Sequence, residues 1–463
     1  MTKKVCVIGG GISGLCVAYR LKKKGFDVLL VERNAVCGGN IQTEQDGDYL
    51  IEWGPNSTLV SNHLFELNAE LGLLEAVAPA NQTAKKRYIL KNGKLRPLPL
   101  KIAQILGTDV FSIKAKLKLL REPFVKSKSS ENESVTEFFR RRLGQEVVDY
   151  AVDPFVSGIF AGNPEKLRVQ SAFPSVFQME KDYGSILKAS ALGKKEKSSR
   201  FVPKGISRTV SFVGGMQTLT DTLAENLSNE VKIETEVLRI GKVESGKWKA
   251  ESDSENLNRE LFDAVVVATP SFAAANLIEN LDGELSEKLR EIYHPPLAVV
   301  VSAYGRENVK KDLDGFGFLI PKVERRKILG SLWSSVIFEN RAPRDTHLLT
   351  TFIGGARNAE LFDKTDAELF EIAREELADI LGVQGKPIFE RIRRWKKSIP
   401  QYNLGYEKIE KGIKQFEQNN KGIFFCSNFY RGISVSDCVK NAGQTADEIE
   451  EFLKKQLTAD ERG

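Results

Sequence analysis

The first forty residues restrict the fold more than any later stretch. After Lys4, residues 5–8 form an apolar run, followed by Gly9-Gly10-Gly11-Ile12-Ser13-Gly14. Residues 15–24 then carry Leu15, Ala18, Tyr19 and Leu21 on one side of a helix, and after Asp27 residues 28–31 form a second apolar run that ends on Glu32. An uncharged apolar run reads as a buried strand. The glycines fit G-x-G-x-x-G between a strand and a helix, and the acid closes the second strand. This is the pattern of a βαβ dinucleotide-binding unit.

The residue types follow from the chemistry. Gly9 lets the chain turn sharply off the strand. Gly11 lets backbone approach a pyrophosphate, and Gly14 lets the helix lie close to the strand. Ile12 and Ser13 open the helix, where free N–H groups and the positive end of the dipole face an anion. Glu32, with Arg33 after it, stands where an acid accepts hydrogen bonds from both ribose hydroxyls, and a carboxylate there disfavours a 2′-phosphate. A glycine-rich turn with no ligand is the alternative. Strand, helix, second strand and terminal acid in sequence favour the nucleotide.

At 463 residues the chain is too long for one simple core, so two domains or one with a large insertion are expected. A hydrophobic content of 41% suffices for sizeable cores, and a net charge of +6 suits an anionic ligand or an acidic membrane surface without indicating nucleic acid. The five cysteines are odd in number and match no metal spacing. Free thiols in a reducing, cytoplasmic setting are the expectation. Three scattered histidines make a metal site improbable. The uncharged stretches 5–19 and 264–278 fall short of the roughly 20 residues that span a bilayer. The glycines of the first also argue against a signal peptide, so neither a signal peptide nor a transmembrane helix is expected.

A second glycine pair, Gly38-Gly39, followed by Asn40, comes soon after the second strand. Further on, Glu52-x-Gly54-Pro55-Asn56-Ser57 sets a turn whose backbone can lie against a planar ring. With these motifs the chain resembles the flavin-dependent amine oxidase superfamily, and within it the oxygen-dependent protoporphyrinogen oxidases of plant and bacterial type. The resemblance covers nearly the whole chain, with the motifs in the family's order. Two positions depart from it: Asn40 replaces a basic residue, and Ser427-Asn428 replaces Gly-Asn. It implies an α/β fold with a Rossmann-like FAD-binding domain, a mixed-sheet substrate domain and an inserted α-helical membrane-associating region. The corresponding division is 1–84, 208–280 and 390–463 for FAD, 85–98 and 281–389 for substrate, and 99–207 for the helical insert.

The resemblance also assigns residues. FAD, bound non-covalently, would be held by Gly9, Gly11, Ile12, Ser13, Gly14, Glu32, Arg33, Gly38, Gly39, Asn40, Gly54, Pro55, Asn56, Ser57, Val237, Ala268, Trp395, Ile433, Ser434 and Val435. Val237 would offer a backbone contact to adenine, and Trp395 would pack near the flavin. The helix that starts after the turn at Gly432 would face the pyrimidine end of the ring. Substrate would meet Arg87, Gly158, Leu319 and Phe338. A guanidinium suits a propionate because it offers a fork of donors; by itself Arg87 beside Lys85 and Lys86 reads as a solvated charge. Leu319 and Phe338 by themselves read as core.

Locally, residues 85–90 and 95–99 read as a hairpin around Asn92-Gly93. Residues 100–124 are basic and amphipathic, which fits either a membrane interface or a helical wall of the domain. Residues 135–150 read as helix, 194–200 as a charged linker, 231–237 and 262–270 as strands, and 441–457 as a closing surface helix. Residues 299–304, 317–320 and 328–333 read as strands of a second, antiparallel sheet.

The activity implied is FAD-dependent oxidation of protoporphyrinogen IX to protoporphyrin IX, with oxygen as acceptor and hydrogen peroxide as product. The chain shows no convincing catalytic base or nucleophile, and none is needed if a flavin removes hydride. Coproporphyrinogen III is the near alternative substrate. An amine or polyene oxidase, or a non-enzymatic escort-type binding protein on the same architecture, is the distant one. The implied partners are the tetrapyrrole, oxygen and the cytoplasmic membrane face, with a homodimer compatible.

Overall fold

The computed structural model describes residues 2–99, 102–105, 107–126, 128–192 and 207–460. Its centre is a five-stranded parallel sheet ordered Val231–Lys232, Asp27–Val31 (β2), Lys4–Ile8 (β1), Ala264–Val267, Ile423–Phe425. Both faces are covered, which is why its inner strands carry no charge beyond their first residues, Lys4 and Asp27. Val5, Val7, Ala264 and Val266 pack on one side against Leu15, Ala18 and Leu21 of the helix Ile12–Lys23 (α1), and against Ala442, Ala446 and Ile449 of the helix Val435–Asp460. Cys6, Ile8, Val265 and Val267 point the other way, onto Trp248, Ile240 and Ala274.

The second sheet has seven strands in the order Phe389–Trp395, Leu297–Gly305, Thr346–Gly354, Ile328–Leu332, Gly315–Leu319, Lys86–Lys91, Lys94–Pro97. It is mixed rather than wholly antiparallel, because Gly315–Leu319 runs parallel to Lys86–Lys91. The helix Asp366–Leu381 covers one face through Leu369, Ala373 and Leu377. The hairpin turn at Asn92-Gly93 has positive φ at both residues, 52° and 70°, as a tight primed turn requires.

Several local expectations change. The stretch 231–237 is not one strand. Thr235 N–H donates to the Glu32 carbonyl at 3.0 Å, Glu234 turns at φ 49°, and a new strand, Val237–Lys242, begins beyond. Helix 135–150 is interrupted: Val135–Leu143 ends at Gly144, φ 98°, before a π-turn at Val148–Val152. The closing helix starts at Val435 rather than 441, because Ser434 caps it. The Ser434 hydroxyl accepts from Asp437 N–H at 3.0 Å and donates to the Asp437 carboxylate at 2.6 Å. Phe389–Trp395 is an outer strand of the seven-stranded sheet through its ladder to Leu297–Gly305. The linker 194–200 and residues 100, 101 and 106 of the basic amphipathic stretch lie outside the described residues.

Candidate functional site

The carboxyl ends of the parallel strands gather most of the predicted cofactor residues, the edge where open α/β sheets bind ligands. Gly9 N–H donates to the Val31 carbonyl at 2.8 Å, and Gly38 N–H donates to Gly10 at 2.8 Å. The glycine pair therefore lies against the glycine loop, and a Cβ on Gly39 would come 3.3 Å from the Gly11 Cα. A Cβ at Gly14 would collide with the Gly9 carbonyl oxygen. That close approach of α1 to β1 is the reason a side chain is excluded there.

Three observations test the fit of a dinucleotide. A Cβ on Gly11 would meet nothing within 4 Å, so the space before α1 is open. The first turn of α1 holds no acid, so an anion is not repelled. Thr269 Oγ1 is buried with no hydrogen-bond partner, while the same residue's methyl would lie 3.2 Å from a Cβ on Gly9. An orphaned hydroxyl at the phosphate loop is what a missing oxygen-rich ligand leaves behind. Glu32 is buried and held in place. Its Oε2 accepts Gly10 N–H at 2.7 Å, and its Oε1 accepts Asn34 N–H at 2.8 Å and Asn34 Nδ2 at 2.6 Å. The remaining lone pairs suit a ribose diol. Arg33 is exposed, 3.8 Å from Glu236.

Three further segments carry predicted cofactor residues. Trp395 donates its indole N–H to the Trp53 carbonyl at 2.9 Å, joining the seven-stranded sheet to the turn at Gly54. A side chain at Gly54 would collide with the Asn40 carbonyl oxygen. Ser436, on the second residue of the closing helix, donates to the Leu59 carbonyl and sits 3.5 Å from the Thr58 hydroxyl. The loop at 54–57 and the helix start at 433–435 are thus neighbours. Ala268 N–H donates to Ile8 at 2.9 Å, and Val237 lies at the edge of its strand opposite Ser252.

Beneath the loop at 54–57, Glu52 is 5% exposed. It accepts Met216 N–H at 2.8 Å and the Thr43 hydroxyl at 2.7 Å, and stands 3.7 Å from Arg341. Burial pushes its carboxyl up to about 7 against the pull of Arg341. Burial also lowers the Arg341 guanidinium, with Glu52 opposing.

The residues predicted to meet substrate lie on several elements. Gly158 and Leu319 meet: the helix Asp153–Phe160 crosses the sheet so closely that a Cβ on Gly158 would lie 2.6 Å from Leu319 Cδ2. Leu319 pairs with Gly330, and Gly330 pairs with Phe352. Cross-strand partners share a face, so Leu319 and Phe352 flank a glycine with no side chain between them. Gly317, Leu332 and Thr350 form the next row on that face. Leu319, Leu332 and Phe352 remain only half-buried in the middle of a seven-stranded sheet. That marks an apolar slot open to a ligand. Phe338 packs with Ala80, Ala84 and Ile337 and touches Phe316 and Leu332, and with Glu52, Asn56 and Arg341 it lines a small cavity. Leu332, Phe352 and Thr269 were not singled out from sequence. Alternating Gly317 and Gly330 within apolar strands is the signal that points to the first two.

Arg87 stacks its guanidinium 4.0 Å above the Phe316 ring. Its Nη1 is buried with no hydrogen-bond partner, and burial lowers its pKa. It is therefore no solvated charge, and a buried guanidinium nitrogen without an acceptor fits an absent carboxylate.

The family described as flavin containing amine oxidoreductase matches residues 12–450. The chain is 35% identical to protoporphyrinogen oxidase 2, chloroplastic/mitochondrial, of Arabidopsis thaliana, over 98% of this chain and 94% of that one. It is 29% identical to coproporphyrinogen III oxidase of Bacillus subtilis (strain 168), over 94% and 96%. A solved structure from Exiguobacterium sp. 255-15 superposes with a TM-score of 0.80 at 24% identity, covering 97% of this chain and 99% of that one. FAD, bound non-covalently, is the cofactor, and the enzyme is a FAD-dependent oxidoreductase. From the glycine loop to the closing helix, the chain belongs to the flavin containing amine oxidoreductase family.

Proposed function

We propose that the protein oxidises protoporphyrinogen IX to protoporphyrin IX, and the observation that carries this is Arg87. A half-buried guanidinium with an orphaned nitrogen stacks on Phe316, which packs with Leu332 of the apolar slot lined by Leu319, Leu332 and Phe352. A reduced tetrapyrrole has that pattern, with an apolar macrocycle and carboxylates at one end. The greater identity to the plant protoporphyrinogen oxidase than to the bacterial coproporphyrinogen III oxidase supports the dicarboxylate over the tetracarboxylate.

Bound FAD supplies the hydride acceptor, and each pair of electrons then passes to oxygen. Six hydrogens leave the porphyrinogen, and three oxygen molecules become hydrogen peroxide. The protein's own work is to bind and orient. Arg87 holds a propionate by charge-assisted hydrogen bonds. Gly158 and Gly330 leave room for a flat ring, and the apolar walls exclude water. The N-terminus of the helix Val435–Asp460 would hold the flavin with its positive dipole end and favour negative charge on the reduced ring.

The division expected from sequence is the arrangement we infer, moved at one point: FAD on 1–84, 208–280 and the chain after Trp395, substrate on 85–98 and 281–395, with a helical insert between. Within the insert, the helix Ile113–Leu120 and the turn after it leave Ile113, Leu117, Leu120 and Phe124 from 53% to 78% exposed. Lys114, Lys118 and Arg121 surround them. This supports peripheral contact with an anionic bilayer. Among the described residues no helix is long and apolar enough to cross one.

The test is a paired assay under air with protoporphyrinogen IX and coproporphyrinogen III, followed by porphyrin fluorescence. Preference for the first is expected. Arg87→Ala should raise KM at least about tenfold, the loss of one charge-assisted pair, with the flavin spectrum unchanged. An unaltered KM would remove Arg87 from the site, and oxidation of neither porphyrinogen would overturn the substrate.

A further inference from the structure

The turn from Asn428 to Ser434 leads into the helix at the flavin end, and its backbone is unusual. Arg431 has φ +72° and Gly432 φ +133°. A non-glycine residue in the left-handed region costs energy and persists only where its surroundings over-determine it. Two buried tyrosines from another segment supply that constraint. The Tyr402 hydroxyl donates to the Asn428 carbonyl at 2.6 Å and accepts Gly432 N–H at 3.1 Å. The Tyr406 hydroxyl donates to the next carbonyl, Phe429. The two rings pack with centroids 4.7 Å apart, and Asn441 Nδ2 holds the Arg431 carbonyl at 3.0 Å from the helix side.

The same segment grips the substrate side. Gln401, next in the chain to Tyr402, donates its Nε2 to the Phe160 carbonyl at 2.7 Å. Phe160 ends the helix that places Gly158 over Leu319. A dipeptide thus holds the end of the slot wall with one side chain and the flavin-end turn with the other. Tyr402 and Tyr406 are each 3% exposed, and burial raises both hydroxyls far above their ordinary value. They stay protonated, so their part is hydrogen bonding and not proton transfer.

We propose that Tyr402 is a positioning residue for the flavin, fixing the Gly432–Ser434 turn through its bond from Gly432 N–H while Gln401 ties that turn to the slot wall. Tyr406 holds the same loop further from the turn and serves the fold. The inference rests on the FAD reading of the site and not on the identity of the substrate.

The test compares Tyr402→Phe with Tyr406→Phe, which keep both rings and remove one hydroxyl each. FAD is titrated into the stripped full-length proteins by flavin fluorescence, the flavin midpoint potential is measured in each holoprotein, and Tm is recorded with and without FAD. Tyr402→Phe should weaken FAD binding about tenfold, as one lost hydrogen bond with a stranded donor does, and shift the potential. Tyr406→Phe should lower Tm by a similar amount and leave FAD affinity within about twofold. Equal Tm losses with FAD affinity unchanged in both would overturn the proposal. Should Tyr402→Phe emerge colourless, an apoprotein Tm close to wild type supports it, and a collapsed one overturns it. Wild-type protein that binds no FAD would refute the cofactor reading instead.

Discussion

Glu52 shows how much one buried carboxylate can be asked to do. It takes one backbone N–H and one hydroxyl, and faces Arg341 across 3.7 Å. Its pKa in the fold, about 7, lies above the ordinary 4.5. A raised carboxyl contributes stability that is fully present below the unfolded pKa and is lost as pH rises through the folded one. Between about pH 4.5 and 7 the wild-type Tm should therefore carry a downward contribution that Glu52→Gln lacks. Thermal unfolding across that interval checks it; parallel profiles for the two proteins would mean another group titrates. The sequence motif picked out Glu52 as part of a flavin-facing turn. Its partner Arg341 stands far along the chain with no local signal, because only the packing of the hairpin Thr43–Glu52 against the substrate sheet brings the two together.

At the scale of elements, the slot is made by ladder register. Leu319, Gly330 and Phe352 share a row because three strands pair at those positions, and the helix Asp153–Phe160 closes over them at Gly158. A methyl at Gly158 would meet the end of the Leu319 side chain at 2.6 Å. A leucine terminus can turn aside, so Gly158→Ala should keep Tm within a few degrees. The same shift narrows the slot, so KM for the porphyrinogen should rise severalfold with kcat less affected. Steady-state kinetics decide this; an unchanged KM would place the macrocycle elsewhere. Family resemblance singled out Leu319 and not Phe352, since an apolar residue in a strand declares its face only once the neighbouring strand's register is known. Phe338 packs against Leu332 and against Phe316, the ring under Arg87, contacts that no local feature of the chain announces.

For the whole molecule, the exposed row Ile113, Leu117, Leu120 and Phe124 with flanking basic residues is the surface that a folded protein has least reason to keep in water. Each such side chain gains about 1.5–3 kcal/mol on full transfer from water. Replacing Ile113, Leu117 and Leu120 together by Ser should cut binding to anionic phosphatidylserine vesicles by at least about a hundredfold in co-sedimentation, with the flavin spectrum unaltered. Retained binding would show that another surface meets the lipid. The sequence left this stretch divided between a membrane face and a helical wall. In the structure Ala115 and Leu119 are buried inward while Ile113, Leu117 and Leu120 stay exposed on the other side.

What the sequence determined by itself was local and covalent in range. The glycine spacing, the terminal acid at Glu32 and the alternation of uncharged strands each act within about thirty residues, and each specifies a backbone shape that few residue types permit. They suffice for the βαβ unit and its ligand class. Tertiary structure decided everything that depends on distant segments meeting: the orphaned nitrogen of Arg87 over Phe316, the bare row between Leu319 and Phe352, the buried pair of Glu52 and Arg341, and the hold of Tyr402 on Gly432. The physical reason is that a side chain's partner and burial are properties of the packed fold, and neither is encoded by its neighbours in the chain.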